Sequence, residues 1–376
     1  MKSLRFNNDT ALGRLLLSAF QPDFLPPHER KFQAFHFREP KLGPGKMRAV
    51  VRLATTDIFG VNIQVLNVGE SEALHLHAAM DGLWMVFKGA ASFVGEDGVE
   101  HPLGPLDGIM VPRGVAYAFK QVGDDPLVIL QAEAVVKSAR KNTFKTFQPP
   151  GTPPRPELDS TMDLYDALLD DAELQAASGK RAELPSWTYK DRGGVPEPRR
   201  VPFDASNALG KLLLSGIQPE LMPRHERKFQ LFSFKEPAVA AGTNSALVRL
   251  ATTDIVGALI QVLPDGGEVG MHLHAAMDGF WLVLKGGVSI VGEDGVEHEF
   301  GPMEGMMIPR GVPYAFRKIG RENLVLLQIE ALVSTARRNT FKWIDNRDAP
   351  PRQNENAAAD IRKTDVPMEL FDARVA

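Results

Sequence analysis

Residues 69–89 read GESEALHLHAAMDGLWMVFKG, and residues 266–286 read GGEVGMHLHAAMDGFWLVLKG. The two stretches are one motif at an offset of 197 residues, so the chain repeats itself. Moving outward from this pair, His28-Glu29-Arg30-Lys31-Phe32-Gln33 recurs as His225 to Gln230, and Arg52 to Ile58 recurs as Arg249 to Ile255. Val94 to His101 (VGEDGVEH) returns as Val291 to His298, and Asn142 to Lys145 as Asn339 to Lys342. The copies align without insertion from about residue 9 to about residue 145, with roughly six identities in ten. A repeat of that length has the size of a domain, not of a solenoid unit. The expected organisation is a domain over 1–148, a linker over 149–204 with one helix, a second domain over 205–345 and a tail over 346–376.

The local pattern around the motif is that of strands. Phe32–Phe37, Val50–Ala54, Val61–Leu66, Leu83–Phe87, Ala91–Val94, Gly108–Val111, Tyr117–Lys120 and Leu127–Glu133 are short apolar or alternating runs. Gly69, Gly89, Glu96-Asp97-Gly98, Pro112-Arg113-Gly114 and Gly123-Asp124-Asp125-Pro126 punctuate them. About eight short strands per copy at regular spacing predict an all-β fold, with a small sandwich or barrel in each half. Two helices are expected beside the strands. One spans Thr10–Ala19; the other spans Asp159–Ser178, where Met162, Tyr165, Leu168 and Leu169 fall at helical spacing after a Pro-rich start at Gln148–Glu157. Val366–Phe371 is expected to dock the otherwise polar tail.

Composition limits the chemistry. The 376 residues contain no cysteine, which excludes disulfides, thiolate nucleophiles, Cys-bound zinc and iron–sulfur clusters. A net charge of −4 and the absence of a Lys/Arg stripe argue against a nucleic-acid partner. No run has the roughly 18 apolar residues of a membrane helix, and Met1–Thr10 lacks the apolar core of a signal peptide. A cytoplasmic location is therefore expected. What stays open is chemistry by His, carboxylate, Tyr, Lys or Arg, with or without a metal.

The motif itself carries a resemblance. Gly69, His75-Leu76-His77, Asp81-Gly82 and Gly89 are similar to the first cupin motif, and Asp107 to Tyr117 (DGIMVPRGVAY) resembles the second. Gly266, His272, His274, Asp278, Gly279 and Gly286, then Pro309, Gly311 and Tyr314, repeat both. The resemblance implies two tandem cupin barrels of the double-stranded β-helix (jelly-roll) type with a few short helices. It also implies a divalent metal, Fe2+ before Mn2+, Ni2+, Zn2+ or Cu2+, a small-molecule substrate and a homodimer. Two departures stand out. With three residues between, Asp81 follows His77, and with four between, Gly82 does, where the family has Glu, and Tyr117 occupies the place of the second-motif His. Gentisate-type dioxygenases are bicupins that also lack that Glu, although they retain the second-motif His.

His75 and His77 are two apart on a strand and so share one face, as do His272 and His274. Imidazole pairs suit first-row divalent metals, and a third ligand is wanted. Asp81, Gln64, Glu133 and Tyr117 are the candidates, with Asp278, Gln261, Glu330 and Tyr314 in the second copy. The expected reaction is oxidation or ring cleavage of a small, possibly aromatic, substrate with oxygen, Tyr117 and Tyr314 serving as proton donors or extra ligands. Two alternatives stay open: an isomerase, epimerase or lyase in which His and Tyr act as base and acid, and a bicupin that binds a small molecule without catalysis. The repeated HERKFQ segment admits an anion clamp through Arg30 and Lys31, but a packing or salt-bridge role is preferred. Trp84, Trp281, Met80, Met85, Met110, Phe87 and Phe119 are candidates to line the interiors, and His101 and His298 are expected to be exposed.

Overall fold

The computed structural model describes residues 2–4, 28–136, 144–146, 162–170, 172–174, 195–201, 224–333, 341–343, 352–353 and 368–375. The expected helix at Thr10–Ala19 lies outside them. The chain forms two units. One is built on Phe35–Leu168 with His225–Leu231, the other on His28–Ala34 with Phe232–Ala376. Each repeat therefore lends its HERKF segment to the unit formed mainly by the other repeat.

In the first unit an eight-stranded sheet runs in the order Lys2–Leu4, Met162–Asp166, Arg48–Thr55, Phe59–Leu66, Leu127–Val135, Met80–Lys88, Asp107–Val111 and Gln230–Ser233. The facing sheet runs Phe144–Thr146, Ser71–His77, Tyr117–Val122, Ala90–Gly95 and Glu100–Leu103. The two sheets close on a shared core of Leu66, Trp84, Phe93, Tyr117, Phe119 and Ile129. Non-consecutive strands are neighbours throughout, as in a jelly roll. The second unit repeats the plan, with sheets of eight and six strands that close over Trp281, Ile290, Tyr314 and Phe316. Both halves are jelly-roll barrels, and the described residues are nearly all β.

The central strands are buried along their length: from Leu127 to Val135 every residue is buried, in a strand flanked by Phe59–Leu66 and Met80–Lys88. Hairpin closure depends on glycine where the motif has it. Gly89 lies at φ 71°, and a Cβ there would meet the Pro126 carbonyl oxygen at 2.6 Å.

The linker departs from expectation. Met162–Asp166 is a strand, not part of a helix; it pairs parallel with Arg48–Thr55 and antiparallel with Lys2–Leu4. Met162 and Leu164 are buried while Asp163 and Tyr165 are partly open, which is the alternation of a strand with one covered face. Helical geometry among the described linker residues is confined to Ala172–Leu174. The tail does dock: Met368–Asp372 pairs parallel with Ser245–Thr252, the equivalent place in the second unit.

Candidate functional site

The register fixes which side chains share the barrel interior. Gln131 lies opposite both Trp84 and Asn62, Glu133 opposite Gly82, and Ile129 opposite Gln64. Directly opposite residues in an antiparallel pair point to the same face. Trp84 and Ile129 belong to the interior core, so Gln64, Gln131 and Glu133 face inward as well. On the other sheet, Tyr117 lies opposite His75. His75, His77, Tyr117 and Glu133 are 1–4% exposed, and Gln64 is 7% exposed.

Two sheets thus converge on one polar cluster. His77 Nε2 lies 3.7 Å from Glu133 Oε1. The His75 and His77 rings are 5.2 Å apart, edge to face, and the Tyr117 ring leans on His75 at 4.3 Å. His75 Nδ1 is 2.7 Å from the Ala73 carbonyl, which places the proton on Nδ1 and the lone pair on Nε2. Gln64 Nε2 donates to Gln131 Oε1 at 2.5 Å. The second barrel matches: His274 Nε2 to Glu330 Oε1 is 3.7 Å, His272 Nδ1 to the Gly270 carbonyl is 2.8 Å, and Tyr314 leans on His272 at 4.3 Å. There the amide chain is complete, Gln261 donating to Gln328 at 2.6 Å and Gln328 to Glu330 at 2.7 Å.

Asp81 and Asp278 stand elsewhere. Asp81 has the opposite parity to Trp84 on its strand and is fully buried, accepting the Arg113 backbone N–H at 2.7 Å and its guanidinium at 3.0–3.1 Å. Asp278 does the same with Arg310. The carboxylate one short of the family position therefore secures the Pro-Arg-Gly turn instead of entering the His cluster. The alternative position, Gly82, is covered by the Trp84 indole: a Cβ there would lie 2.2 Å from the ring. Met85, Phe87 and Met110 also lie on the face away from the His cluster, whereas Trp84 and Phe119 line the interior.

The HERKF segments have a packing role within their units. In the first unit, a His225 ring nitrogen comes within 4.8 Å of an Asp81 oxygen, the Arg227 guanidinium covers Gly114, and Phe229 packs on Gly95. His101 meets the edge of Phe229 at 5.7 Å and is half-buried, not exposed.

Burial sets the protonation states. It lowers the His77 pKa to about 3, with help from His75 and against Glu72; His272 falls to about 3 and His274 to about 4 for the same leading reason. Both rings of the second barrel and His77 are therefore neutral at pH 7. Burial raises Glu133 to about 8, opposed by Gln131, and it raises Tyr117 well above 10 with Glu133 and Glu72 adding to the shift. Because the folded pKa of Glu133 is raised, its contribution to stability is present below about 4.5 and is lost as pH climbs through 8. His77 works in the opposite window, contributing above 6.5 and losing that contribution as pH falls toward 3. The metal-free protein should show a melting temperature that falls between about pH 6.5 and 8.5, followed by circular dichroism. Glu133→Gln should flatten that fall, and an unchanged slope would contradict the buried acid.

Gln131 and Gln328 were not anticipated from sequence. The signal was present, since each is a polar residue two before the glutamate, at the same parity, in a strand whose other residues are apolar (LVILQAEAV and LVLLQIEAL).

Comparison with protein families places the cupin domain model twice on the chain, over residues 62–133 and 259–330. A comparison with curated sequences gives no match. Among solved structures, salicylate 1,2-dioxygenase from Pseudaminobacter salicylatoxidans is 15% identical, with a TM-score of 0.45 over 75% of this chain and 76% of that one. Oxalate decarboxylase from Bacillus subtilis, solved as a point mutant, is 14% identical with a TM-score of 0.42 over 73% and 71%. AerE from Microcystis aeruginosa is 11% identical with a TM-score of 0.43 over 80% and 99%.

Proposed function

This chain is a bicupin, a member of the cupin superfamily with one cupin domain in each barrel, and on that premise we propose that it is a metal-dependent enzyme oxidising a small organic molecule with oxygen. The ligands we assign are His75, His77 and Glu133, with the Gln64 amide oxygen beside them, and His272, His274, Glu330 and Gln261 in the second barrel. Asp81 and Asp278 are left out because Arg113 and Arg310 already engage them. Fe2+ is the ion placed first, before Mn2+, Ni2+, Zn2+ or Cu2+.

The observation that carries this reading is the paired geometry of His75 and Glu133. The Ala73 carbonyl holds His75 in the tautomer a metal ligand requires, and the same bond recurs at His272. Across the barrel, Gln64 Oε1 and both Glu133 oxygens are buried acceptors without a close donor among the described residues. Neutral imidazoles facing a buried acid with idle lone pairs fit a divalent cation, which would displace the carboxyl proton. A bound ion would supply Lewis acidity and a place for oxygen and substrate to meet.

The chain's own residues do the rest. Gln328 donates to the Glu330 carboxyl and so orients it, and Tyr117 props the His75 ring while presenting a phenol that stays protonated at neutral pH. Trp84 and Phe119 are apolar neighbours in the same barrel interior, which favours a small, uncharged ring or chain as substrate. No helix among the described residues is long and apolar enough to cross a membrane. We place the enzyme in the cytoplasm, as a dimer, in keeping with its cysteine-free composition and the cupin resemblance.

A second reading draws on the same acid. A carboxyl near pKa 8 beside Tyr117 suits proton transfer without any metal, as in an isomerase or lyase. Oxygen uptake separates the two. Protein stripped of metal and reloaded with Fe2+ should consume oxygen with a member of a panel of small aromatic and aliphatic substrates, and the stripped protein should not. Substrate turnover by the stripped protein without oxygen would overturn the oxidative reading.

A further inference from the structure

The linker strand and the tail strand are themselves a matched pair. Residues 162–168 read MDLYDAL and residues 368–374 read MELFDAR, and each segment pairs parallel with the equivalent strand of its own unit. Asp166 lies opposite Arg52, and Asp372 lies opposite Arg249. In the first unit an ion pair forms there, with the Arg52 guanidinium on both Asp166 oxygens. The second unit has Arg374 where the first has Leu168, and Arg374 takes the carboxylate instead. Its Nε donates to the two Asp372 oxygens at 3.0 and 3.2 Å, its terminal nitrogen at 2.7 Å and its backbone N–H at 3.1 Å. Arg199 reaches the same carboxylate at 3.4 Å.

Arg249 is left over. Its Nε is buried and has no hydrogen-bond partner among the described residues. Burial lowers its pKa to about 10, with Arg374 adding to the shift and Asp372 opposing it, so the guanidinium stays charged at pH 7. Three guanidinium groups thus share one carboxylate, and Arg199 and Arg374 open the cluster to solvent. A half-buried cation without an anion is costly, and a ligand carboxylate would supply what Asp372 does not.

Register fixes where this cation stands. Arg249 lies opposite Leu259, Leu259 opposite Gln328, and Gln328 opposite Trp281, which belongs to the interior core. Arg249 therefore shares the face that lines the second barrel. Leu247, Leu259 and Leu370 form an apolar cluster on that face, with Met368 packed against it. The first unit has Asn62 in place of Leu259. A guanidinium beside leucines suits a ligand with one carboxylate and a small apolar body.

We propose that Arg249 anchors a small monocarboxylate in the second barrel, and that the first barrel has no such site because Asp166 already engages Arg52. The inference is independent of the metal reading, since neither Arg249 nor the leucines are among the assigned ligands.

The test is calorimetric titration of the full-length protein with benzoate and with hexanoate, in buffer containing EDTA so that no metal contributes. One molecule of either acid should bind per chain, and the neutral amides benzamide and hexanamide should bind about tenfold more weakly or worse. Arg249→Met should weaken binding of the acids by about tenfold or more, whereas Arg52→Met should leave it unchanged. Arg374→Leu gives the second unit the residue that the first already carries at that place. It returns Asp372 to Arg249 and should weaken the acids to a similar degree, which decides the matter if Arg249→Met fails to fold. The inference is overturned by the absence of saturable binding of either acid, by binding that survives Arg249→Met or Arg374→Leu with circular dichroism unchanged, or by an equal loss in Arg52→Met. Inorganic phosphate binding as tightly as benzoate would also overturn it, because the leucines would then contribute nothing.

Discussion

Replacing Glu133 with Gln, together with Glu330 with Gln, should lower the affinity for a divalent ion by about a hundredfold or more while the fold survives. The substitution keeps shape and volume and removes the charge that a cation needs in a site where burial keeps His77, His272 and His274 neutral. Glu133 lies 3.7 Å from His77 Nε2, and Glu330 stands at the same distance from His274 Nε2. No other acid faces the cluster from the same strand, since Gln131 and Ile129 occupy the neighbouring inward positions. Metal per chain, measured by elemental analysis after dialysis, should drop to the background level with circular dichroism unchanged. Full retention would remove Glu133 from the ligand set.

Asp81→Ala should cost about 3 kcal/mol of stability, and Asp278→Ala somewhat more. Each carboxylate is fully buried and satisfies both a guanidinium and a backbone N–H of the Pro-Arg-Gly turn. Removing it takes from the arginine its buried carboxylate partner. Arg113 is 16% exposed and regains some water, whereas Arg310 is 9% exposed and regains less, so the second barrel should suffer more. Asp81→Asn keeps an acceptor for the backbone N–H and should cost less than Ala. Denaturant melts of the three variants give the order. If Asp81→Ala instead removed metal and left stability untouched, the ligand role expected from sequence would be restored.

The barrels were legible because their signals are local. Strand alternation, turn glycines and the repeated motif each occupy a few consecutive residues. The linker strand at Met162–Asp166 was not, because parallel pairing with Arg48–Thr55 creates it from residues far apart along the chain. In isolation its apolar residues fit helical spacing as well. Asp81 was undecidable for a related reason: one residue of register turns a side chain to the other face, and register belongs to the sheet. Once Met80–Lys88 is paired with Leu127–Val135, Gly82 faces Glu133 and Asp81 cannot. Glu133 and Gln64 were visible as candidates, yet nothing in sequence ranked them above Asp81.

The central claim is that neutral imidazoles and a buried glutamate in each barrel hold a divalent metal. Anomalous scattering from crystals of the purified protein, collected on both sides of the iron edge, tests it most directly. The expected result is a peak in each barrel between His75, His77 and Glu133, and between His272, His274 and Glu330. Featureless maps from protein grown and soaked with excess Fe2+, or peaks confined to the Asp81–Arg113 and Asp278–Arg310 corners, would contradict it.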